Sequence, residues 1–517
     1  MVTSRGEPVF VGCFVASSGA AGVLLSRSST AGMSFPFVSS VDDPSSWARA
    51  SFSQIALGDA RNTRSLVRLA AGVAKQPAGR VTQVFDADAD RQAAYGLLSN
   101  PRVRSQDILR GLRDSSARRY VQARRARVYV ACDGSSLRIT DRSGYKGTGR
   151  IGTTRTKARG FEVLSAVSID ESGTPLDLVG QHYWARIGKH KRGSHKRRKL
   201  ADKETAHAVQ LLQDIDDAFH NAHQEADEEV DVHCRPCVLL DRGYDARYVL
   251  LKAVELRARM DTIVRASHNR RVVDAQDKYL RGVLERQPVL CEYQLAVPAG
   301  ANRKARVARM RVRACEVTLR LRDPWTKVTH TATLSAVWTR EVGTTPRGEK
   351  PIDWLLLTTL PVSTAAQACE VIRAYSFRWR VEEFHRAWKS GVCCVEDTEL
   401  RCAEAIQKWA IVLATVAVRA VHLARVARST PDVSATTEFS AEEIEAVIVL
   451  RRPKGVRLDA PHALQQVVGW VAELGGYTGK SSGGPPGPTV IGRGLLRVTS
   501  AAQAIRNLRE LQADEEM

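Results

Sequence analysis

The sequence predicts an α/β fold in which a β-rich insertion interrupts the main sheet and helical regions lie at both ends. Short apolar strands alternate with helical segments over residues 126–269. Within residues 270–353, apolar side chains alternate with basic or polar ones at 309–313 and 317–322, which is typical of antiparallel strands with one solvated, strongly basic face. An apolar strand resumes at Trp354, and a helix follows it. We therefore expect the α/β layer to continue after the insertion.

The composition is that of a folded protein with a strong excess of positive charge. Of 517 residues, 44% are hydrophobic and 26% are charged, which excludes wholesale disorder. Lys and Arg number 77 against 56 Asp and Glu, which gives a formal net charge of +21 and suits a polyanion such as nucleic acid or an anionic membrane surface. No stretch reaches the roughly 18 uninterrupted apolar residues of a membrane helix. Ten cysteines are too sparse for a disulfide scaffold, which indicates a reducing cytoplasm.

The N-terminal part divides into an irregular leader and a helical region. Residues 1–45 are rich in Ser, Gly, Ala and Val without a clear period, so we expect a poorly ordered leader. Residues 46–125 are predicted to be helical, because Leu66, Leu69 and Val73 share one helix face. Basic residues recur throughout this region, which predicts a module that contacts DNA. The same pattern also fits a solvated helical cap.

Two strands predicted in the α/β region end at an aspartate. Asp133 ends the first strand and Asp241 ends the fourth. Carboxylates at strand ends, joined by one on a later helix, would supply hard oxygen ligands for Mg²⁺ or Mn²⁺. Taken singly, each aspartate fits equally well as a turn or helix-cap residue. The strands are predicted at residues 127–132, 137–140, 161–169, 237–240 and 262–265, with helices at 204–222 and 245–260.

A basic run lies between the third predicted strand and the next helix. Residues 186–199 hold eight Lys or Arg and no acid. The run predicts either contact with a DNA backbone, where each phosphate neutralised steepens the salt dependence, or a disordered basic loop.

A helix predicted over residues 364–390 carries a distinctive set of polar residues. At about 100° per residue, Tyr375, Arg378, Glu382 and Lys389 fall within a stripe of about 60°. A carboxylate flanked by two cations and a phenol is a plausible way to hold a metal ion beside a phosphate backbone. The alternative is a solvated helix with an i,i+4 ion pair between Arg378 and Glu382.

The C-terminal region, residues 401–517, is predicted to be mainly helical. Residues 403–428 are apolar around much of the helix surface, so we expect this helix to be buried or to lie at an interface. Glycines and prolines mark an irregular stretch at 475–488, and a last short helix is predicted at 501–512.

The polar set on the predicted helix matches the signature Y-x2-R-x3-E-x6-K in full, which resembles the IS-four family of bacterial insertion-sequence transposases, the Tn-five-like group. Asp133, Asp241 and Glu382 resemble the DDE triad of that family. The block from Asp241 to Asp245 and the strand over residues 263–267 resemble further family motifs. The resemblance covers roughly residues 45–430.

The resemblance implies a domain organisation. It consists of a DNA-end-binding domain (46–125), a ribonuclease-H-like catalytic core (126–269 and 354–400), a β-rich insertion (270–353) and a C-terminal region that supports dimerisation (401–517).

The resemblance also implies roles for individual residues. Asp133, Asp241 and Glu382 would be the catalytic residues and would hold two Mg²⁺ ions, with Mn²⁺ as the other suitable metal. The remaining predicted residues would contact DNA. Trp354 would stack against a flipped base, although without the family it would be read as a buried core aromatic. The phosphate-binding residues would be Tyr375, Arg378, Lys389 and Arg265.

The implied activity is cut-and-paste DNA transposition, carried out in the bacterial cytoplasm in association with the nucleoid. The steps would be hydrolytic nicking, hairpin formation and opening, and strand transfer. The partners would be the inverted-repeat ends, target DNA and a second copy of the chain, with no membrane partner. Two alternatives remain at this stage: a DNA-end-binding regulator or decayed copy without activity, and a metal-dependent nuclease that cuts without strand transfer.

Overall fold

One mixed sheet of eleven strands organises the part of the chain that the computed structural model describes. The described residues are 9–14, 44–152, 158–186, 203–226, 233–273, 277–297, 304–323, 326–479 and 484–515. In chain order the strands are β1 (Val9–Phe14), β2 (Arg127–Arg138), β3 (Gly149–Arg150), β4 (Arg159–Ile169), β5 (Pro175–Trp184), β6 (Arg235–Leu240), β7 (Asp261–Arg265), β8 (Cys291–Val297), β9 (Arg306–Arg322), β10 (Thr329–Val342) and β11 (Asp353–Thr358).

Helices occur on both sides of this sheet and at both ends of the chain. They are α1 (Pro44–Phe52), α2 (Ala60–Lys75), α3 (Val81–Val84), α4 (Asp88–Ser99), α5 (Ser105–Gln122), α6 (Thr205–Glu225), α7 (Arg247–Leu256), α8 (Leu280–Glu285), α9 (Ala365–Ser376), α10 (Arg380–Arg386), α11 (Ala403–Ser429), α12 (Ala441–Arg451), α13 (Leu464–Leu474) and α14 (Pro488–Glu515). Short 3₁₀ turns span Arg242–Tyr244, Phe377–Trp379, Val395–Asp397 and Ala435–Thr437, and a π-helical turn spans Ala387–Gly391.

The strands of the sheet run in the order β1-β8-β9-β10-β11-β7-β6-β2-β4-β3, and β5 also pairs with β4. Strands β2, β6 and β7 are parallel to one another, and β4 is antiparallel to β2. The strands expected from the alternating pattern of residues 270–353 form as β8, β9 and β10, which are antiparallel. They join the core sheet through β11, which pairs antiparallel with β7. The insertion therefore extends the central sheet.

Two hydrophobic cores lie on opposite faces of the sheet. One core joins helices α6, α7 and α8 to one face. The other joins α9, α10, α11 and the N-terminal helices α1, α2 and α4 to the opposite face. A third, smaller core is formed by the end of α11 with α12, α13 and α14. The region expected to contact DNA is therefore helical and packs against the same face as the helices around Glu382.

The two strands predicted at 127–132 and 137–140 are wrong as separate elements, because β2 is continuous from Arg127 to Arg138. The polar segment between them suggests a break, but its backbone still pairs with β4, with Asp133 opposite Ser165 and Ser136 opposite Glu162. Strand β5 was not predicted at all. Its alternation is obscured because apolar residues on both of its faces are buried.

The helical segment predicted over 364–390 is present, but it is not one regular α-helix. The chain forms α9, a 3₁₀ turn, α10 and a π-helical turn in succession. The 100° rotation per residue used for the predicted stripe therefore does not hold along its whole length.

Three further regions differ from the expectations or lie outside the described residues. Within the leader, β1 pairs antiparallel with β8, and Val9 lies opposite Ala296. Of the basic run at 186–199, only Arg186 lies within the described residues, and its guanidinium pairs with Glu204. The last helix, α14, is longer than predicted because it begins at Pro488.

Helix α11 has the burial that its apolar sequence predicts. By length and composition it is apolar enough to cross a membrane, but 83% of its most apolar window is buried inside the protein. Its Trp409 Nε1 donates a hydrogen bond to Gly79 O (2.7 Å), and Lys408 Nζ donates to Asn100 O (2.8 Å). On another side of the helix, Ala410 O accepts from Trp388 Nε1 (2.9 Å). The helix thus ties the N-terminal region to the segment that carries Glu382.

Candidate active site

The register of two parallel strands places two aspartates side by side. The last residues paired between β2 and β6 are Cys132 and Leu240, and the residues that follow them are Asp133 and Asp241. Neighbouring strands lie about 4.8 Å apart, so these aspartates meet at the point where the two strands separate. Asp241 also caps the 3₁₀ turn after β6, because its Oδ1 accepts a hydrogen bond from Gly243 N (2.7 Å).

A buried arginine connects the third acidic residue to this point. Arg378 is 6% exposed, and its Nη1 lies 3.0 Å from Asp133 Oδ2. Its Nη2 lies 2.8 Å from Glu382 Oε1. The i,i+4 ion pair expected between Arg378 and Glu382 is therefore present, but it is part of a buried bridge to β2 rather than a pair on a solvated helix.

The electrostatics show that the three carboxylates act on one another. Burial raises the pKa of Asp133 to about 6; Arg378 opposes this rise, and the charges of Asp241 and Glu382 add to it. Burial lowers the pKa of Arg378, but the attraction of Asp133 and its other neighbours outweighs that effect and leaves the pKa raised. The arginine therefore stays charged and compensates part of the carboxylate repulsion.

Lys389 and Arg265 lie near the same strand ends. Lys389 Nζ donates a hydrogen bond to Ser136 O of β2 (2.7 Å) and lies 3.4 Å from Glu396 Oε1. Arg265 ends β7, and its Nη2 donates to Asp353 O (3.1 Å). Both side chains are partly exposed, so both cations have access to solvent next to the aspartates.

The two aromatic residues of the predicted site are packed against each other. Tyr375 is 2% exposed and Trp354 is 8% exposed. Their rings meet edge to face at 5.5 Å between centroids. In this structure Trp354 therefore lies where the alternative interpretation put it, in the core. Its stacking role stays a prediction.

Sequence reasoning missed a contact between Gly134 and Tyr244. A Cβ atom at Gly134 would lie 2.8 Å from the Tyr244 hydroxyl. Burial raises the pKa of Tyr244 well above its usual value, and the charges of Asp133 and Asp241 raise it further. The phenol thus lies against β2 at Gly134 and close enough to both aspartates to be affected by their charges. An aromatic residue three positions after Asp241 was visible in the sequence, but its partner could be found only in the fold.

The donor set fits a hard divalent cation by its chemistry. Asp133, Asp241 and Glu382 offer carboxylate oxygens that repel one another, and bound positive charge would relieve that repulsion. Within the described ranges no three His, Cys, Asp or Glu side chains already form a cluster of metal-binding geometry. Arg378 lies between two of the acids instead. His385 is not a competing ligand, because its ring is enclosed in the protein; burial lowers its pKa to about 3, which keeps the imidazole neutral.

We expect Asp133→Asn to stabilise the metal-free protein in a pH-dependent way. The pKa of Asp133 is raised to about 6 in the folded state. The wild-type protein therefore loses stability as pH rises from about 4 through about 6, where Asp133 ionises in the folded protein. The free energy of unfolding, obtained from thermal unfolding in EDTA, should be higher for the variant by about 1–3 kcal/mol at pH 8. The advantage should shrink at pH 5. An equal difference at both pH values, or a less stable variant at pH 8, would contradict the assignment.

The contact of Gly134 with Tyr244 predicts a non-additive pair of substitutions. Gly134→Ala should cost about 1–3 kcal/mol because the new methyl group meets the Tyr244 hydroxyl. Tyr244→Phe removes that oxygen, so the double variant should recover at least about 1 kcal/mol of the loss. Denaturant unfolding of the four proteins measures this coupling. Strict additivity would show that the two residues do not meet.

The comparisons with known families match two segments of the chain. The family model described as Transposase DNA-binding matches residues 44–103. The model described as Transposase DDE domain matches residues 198–419, which include Asp241 and Glu382. Asp133 lies between the two matched segments, and it is the strand register that brings it to Asp241.

A solved structure is also similar to this chain. It is a cryo-EM structure of a piggyBac transposase synaptic complex with hairpin DNA, with 10% sequence identity and a TM-score of 0.34 over 75% of this chain and 76% of that chain. At this TM-score the likeness carries no argument about fold or activity.

The two matched segments, one described as DNA-binding and one as a DDE domain, together cover more than half of the chain. The core strands β5, β4, β2, β6 and β7 form the mixed sheet of a ribonuclease-H-like fold, with helices at the N-terminal and C-terminal ends. The chain therefore belongs to the DDE transposases of the IS-four, Tn-five-like architecture, a class of phosphoryl transferases that typically use divalent metal ions.

Proposed function

We propose that this transposase carries out cut-and-paste transposition by phosphoryl transfer at Asp133, Asp241 and Glu382. Two observations support the proposal: the register of β2 with β6 places Asp133 beside Asp241, and Arg378 pairs with both Asp133 and Glu382. Water cuts one strand at the transposon end. The freed 3′-hydroxyl attacks the opposite strand to form a hairpin, a second water opens it, and the 3′-hydroxyls then attack target DNA.

The three carboxylates would hold two Mg²⁺ ions, or Mn²⁺ in their place. When bound, the ions would activate the attacking oxygen and stabilise the leaving oxygen of each displacement. Asp133 must be ionised to take part, so ligation is favoured above the pKa of about 6 that burial gives it. Asp241 is positioned for the task by its cap of the 3₁₀ turn, which fixes the direction of its carboxylate.

The cations and aromatic residues around the acids would bind the DNA near the scissile bond. The Arg378 Nε is buried and has no hydrogen-bond partner among the described residues, so it would donate to a phosphate oxygen only after the surrounding side chains open. Lys389, Arg265 and Tyr375 supply further donors at the same edge of the sheet. Trp354 would receive a flipped base only after leaving its contact with Tyr375. No covalent enzyme intermediate is required, so Tyr375 acts as a donor and not as a nucleophile.

The proposed partners are the inverted-repeat ends, target DNA and a second copy of the chain. The N-terminal region 46–125 would bind the ends, and the DNA-binding family model matches residues 44–103, which include α1–α4. The helices after α10 would support dimerisation. A bacterial cytoplasmic location beside the nucleoid follows from this activity.

The experiment that tests the proposal is cleavage of a labelled duplex carrying the flanking element's own ends, with Mg²⁺. Wild-type protein should give hairpin and flush-end products. Glu382→Gln should bind the ends with unchanged affinity and lose at least about 10³-fold in cleavage rate, because it removes a charge needed only for the reaction. The control is Glu370→Gln, which removes a carboxylate of α9 that pairs with Arg127 (2.8 Å) outside the proposed site and should leave cleavage intact.

The other results would contradict the proposal in distinct ways. End binding without cleavage by wild-type protein would identify a DNA-binding protein without activity. Nicked products without hairpins or strand transfer would identify a nuclease. Equal cleavage by wild type and Glu382→Gln would remove Glu382 from the site.

A further inference from the structure

The arginines of β9 fall into two groups that differ in their partners. In the first half of the strand each arginine is paired with a carboxylate. The salt bridges are Arg306 with Glu341, Arg309 and Arg311 with Glu292 (2.6 and 2.9 Å), and Arg313 with Glu285 (3.5 Å). These four positive charges are largely neutralised within the protein.

The second half of β9 carries arginines without such partners. Arg320 and Arg322 are exposed, and neither forms a salt bridge with any residue that the structure describes. Arg271 lies on the neighbouring segment, where its carbonyl oxygen accepts a hydrogen bond from Arg320 N (2.9 Å). Arg271 is also exposed and likewise forms no salt bridge within the described ranges. Three uncompensated guanidinium groups therefore lie close together.

The three arginines line a cavity of about 600 Å³ next to the candidate active site. Gly243 and Asp245, which follow Asp241 in the chain, form part of the same wall. Two other arginines of the wall are neutralised: Arg270 by the buried Asp245, and Arg247 by Asp323 (2.7 Å). The ion pairs of Arg270 and Arg247 thus hold the wall beside Asp241 in place, and the excess positive charge of the cavity lies on the side of β9.

The charge and spacing of this surface suit a polyphosphate backbone. Guanidinium groups bind phosphate oxygens through paired donors. Arg320 and Arg322 lie on the same face of β9 and are separated by about 6.6 Å along the strand, close to two of the roughly 3.4 Å steps per phosphate in one DNA strand. A single small anion would not need three uncompensated charges along one wall.

The position of the cavity separates it from the surface expected to bind the transposon end. None of its lining residues comes from helices α1–α5, whereas the DNA-binding family model matches residues 44–103. If the transposon end binds the N-terminal helices and its scissile bond lies at the acids, the DNA that continues beyond the transposon end would reach this cavity.

We propose that the cavity lined by Arg271, Arg320 and Arg322 binds backbone phosphates of DNA beyond the transposon end. That DNA is either the donor sequence flanking the end or the target. The proposal rests on the proposed function, since it takes Asp241 to lie at the scissile phosphate.

The test compares Arg320→Ala/Arg322→Ala with the matched control Arg309→Ala/Arg311→Ala in the full-length protein. Both double variants remove two arginines from β9, but only the first pair lacks carboxylate partners. Binding is measured against salt concentration in EDTA, so that the result does not depend on cleavage. The probes are a duplex ending at the transposon end, the same duplex with flanking sequence, and an unrelated target duplex added to protein already bound to end-only DNA.

We expect the Arg320/Arg322 variant to bind the end-only duplex within about twofold of wild type. Its affinity for the flanked duplex or for the target should fall at least tenfold, and the salt slope should drop by up to about 1.8, the value for two phosphate contacts. Loss on the flanked duplex alone identifies donor DNA, and loss on the target alone identifies target DNA. The Arg309/Arg311 variant should match wild type on all three probes.

Two results would overturn the proposal. A similar loss on the end-only duplex would assign the cavity to the transposon end. Equal affinities and salt slopes for the two double variants would show that the unpaired arginines contribute no more to DNA binding than the paired ones. The charge-retaining Arg320→Lys/Arg322→Lys variant checks folding, because it should keep the wild-type salt slope. A failure of the proposed function would appear separately, as absence of cleavage with these binding differences intact.

Discussion

The candidate site depends on a single arginine held between carboxylates. Asp133 and Glu382 both lie within hydrogen-bond distance of Arg378, and burial of the guanidinium strengthens both attractions. Without a compensating charge these acids, together with Asp241, would repel one another in a partly buried place; burial raises the pKa of Asp133, and the charges of Asp241 and Glu382 add to that rise. Charge compensation is therefore the condition for assembling the site. Divalent metal ions would meet the same condition during the reaction.

The rest of the fold holds the partners of this arginine in place. The pairing of β2 with β6 stops after Cys132 and Leu240, and this sets the position of the two aspartates. The segment that carries Glu382 is held from behind by α11, through the hydrogen bond from Trp388 to Ala410. The same helix reaches the N-terminal region through Trp409. A continuous packed structure therefore connects the helices matched by the DNA-binding family model to the acidic residues.

Much of the architecture could be predicted from local patterns, whereas the contacts that build the site could not. The one-by-one alternation of apolar and polar residues predicted the strands of the insertion, and the spacing of polar residues predicted the helix that carries the signature. That spacing did not show that the helix is interrupted by 3₁₀ and π turns, since these come from packing. Nor did the alternation show that the arginines of β9 point to two different faces of the sheet. Arg309 and Arg320 differ in parity, so they point to opposite faces of β9. The contact between Gly134 and Tyr244 joins residues about 110 positions apart, and no local pattern encodes it.

Anomalous diffraction from Mn²⁺ in crystals of the full-length protein with a transposon-end duplex would show directly whether the three acids hold metal ions. We expect anomalous peaks bounded by Asp133, Asp241 and Glu382, with Arg378 close to a DNA phosphate, and loss of these peaks in Asp241→Asn crystals. Mn²⁺ bound at other residues, or no ion at the three acids in a crystal form whose protein still cleaves DNA, would contradict this prediction.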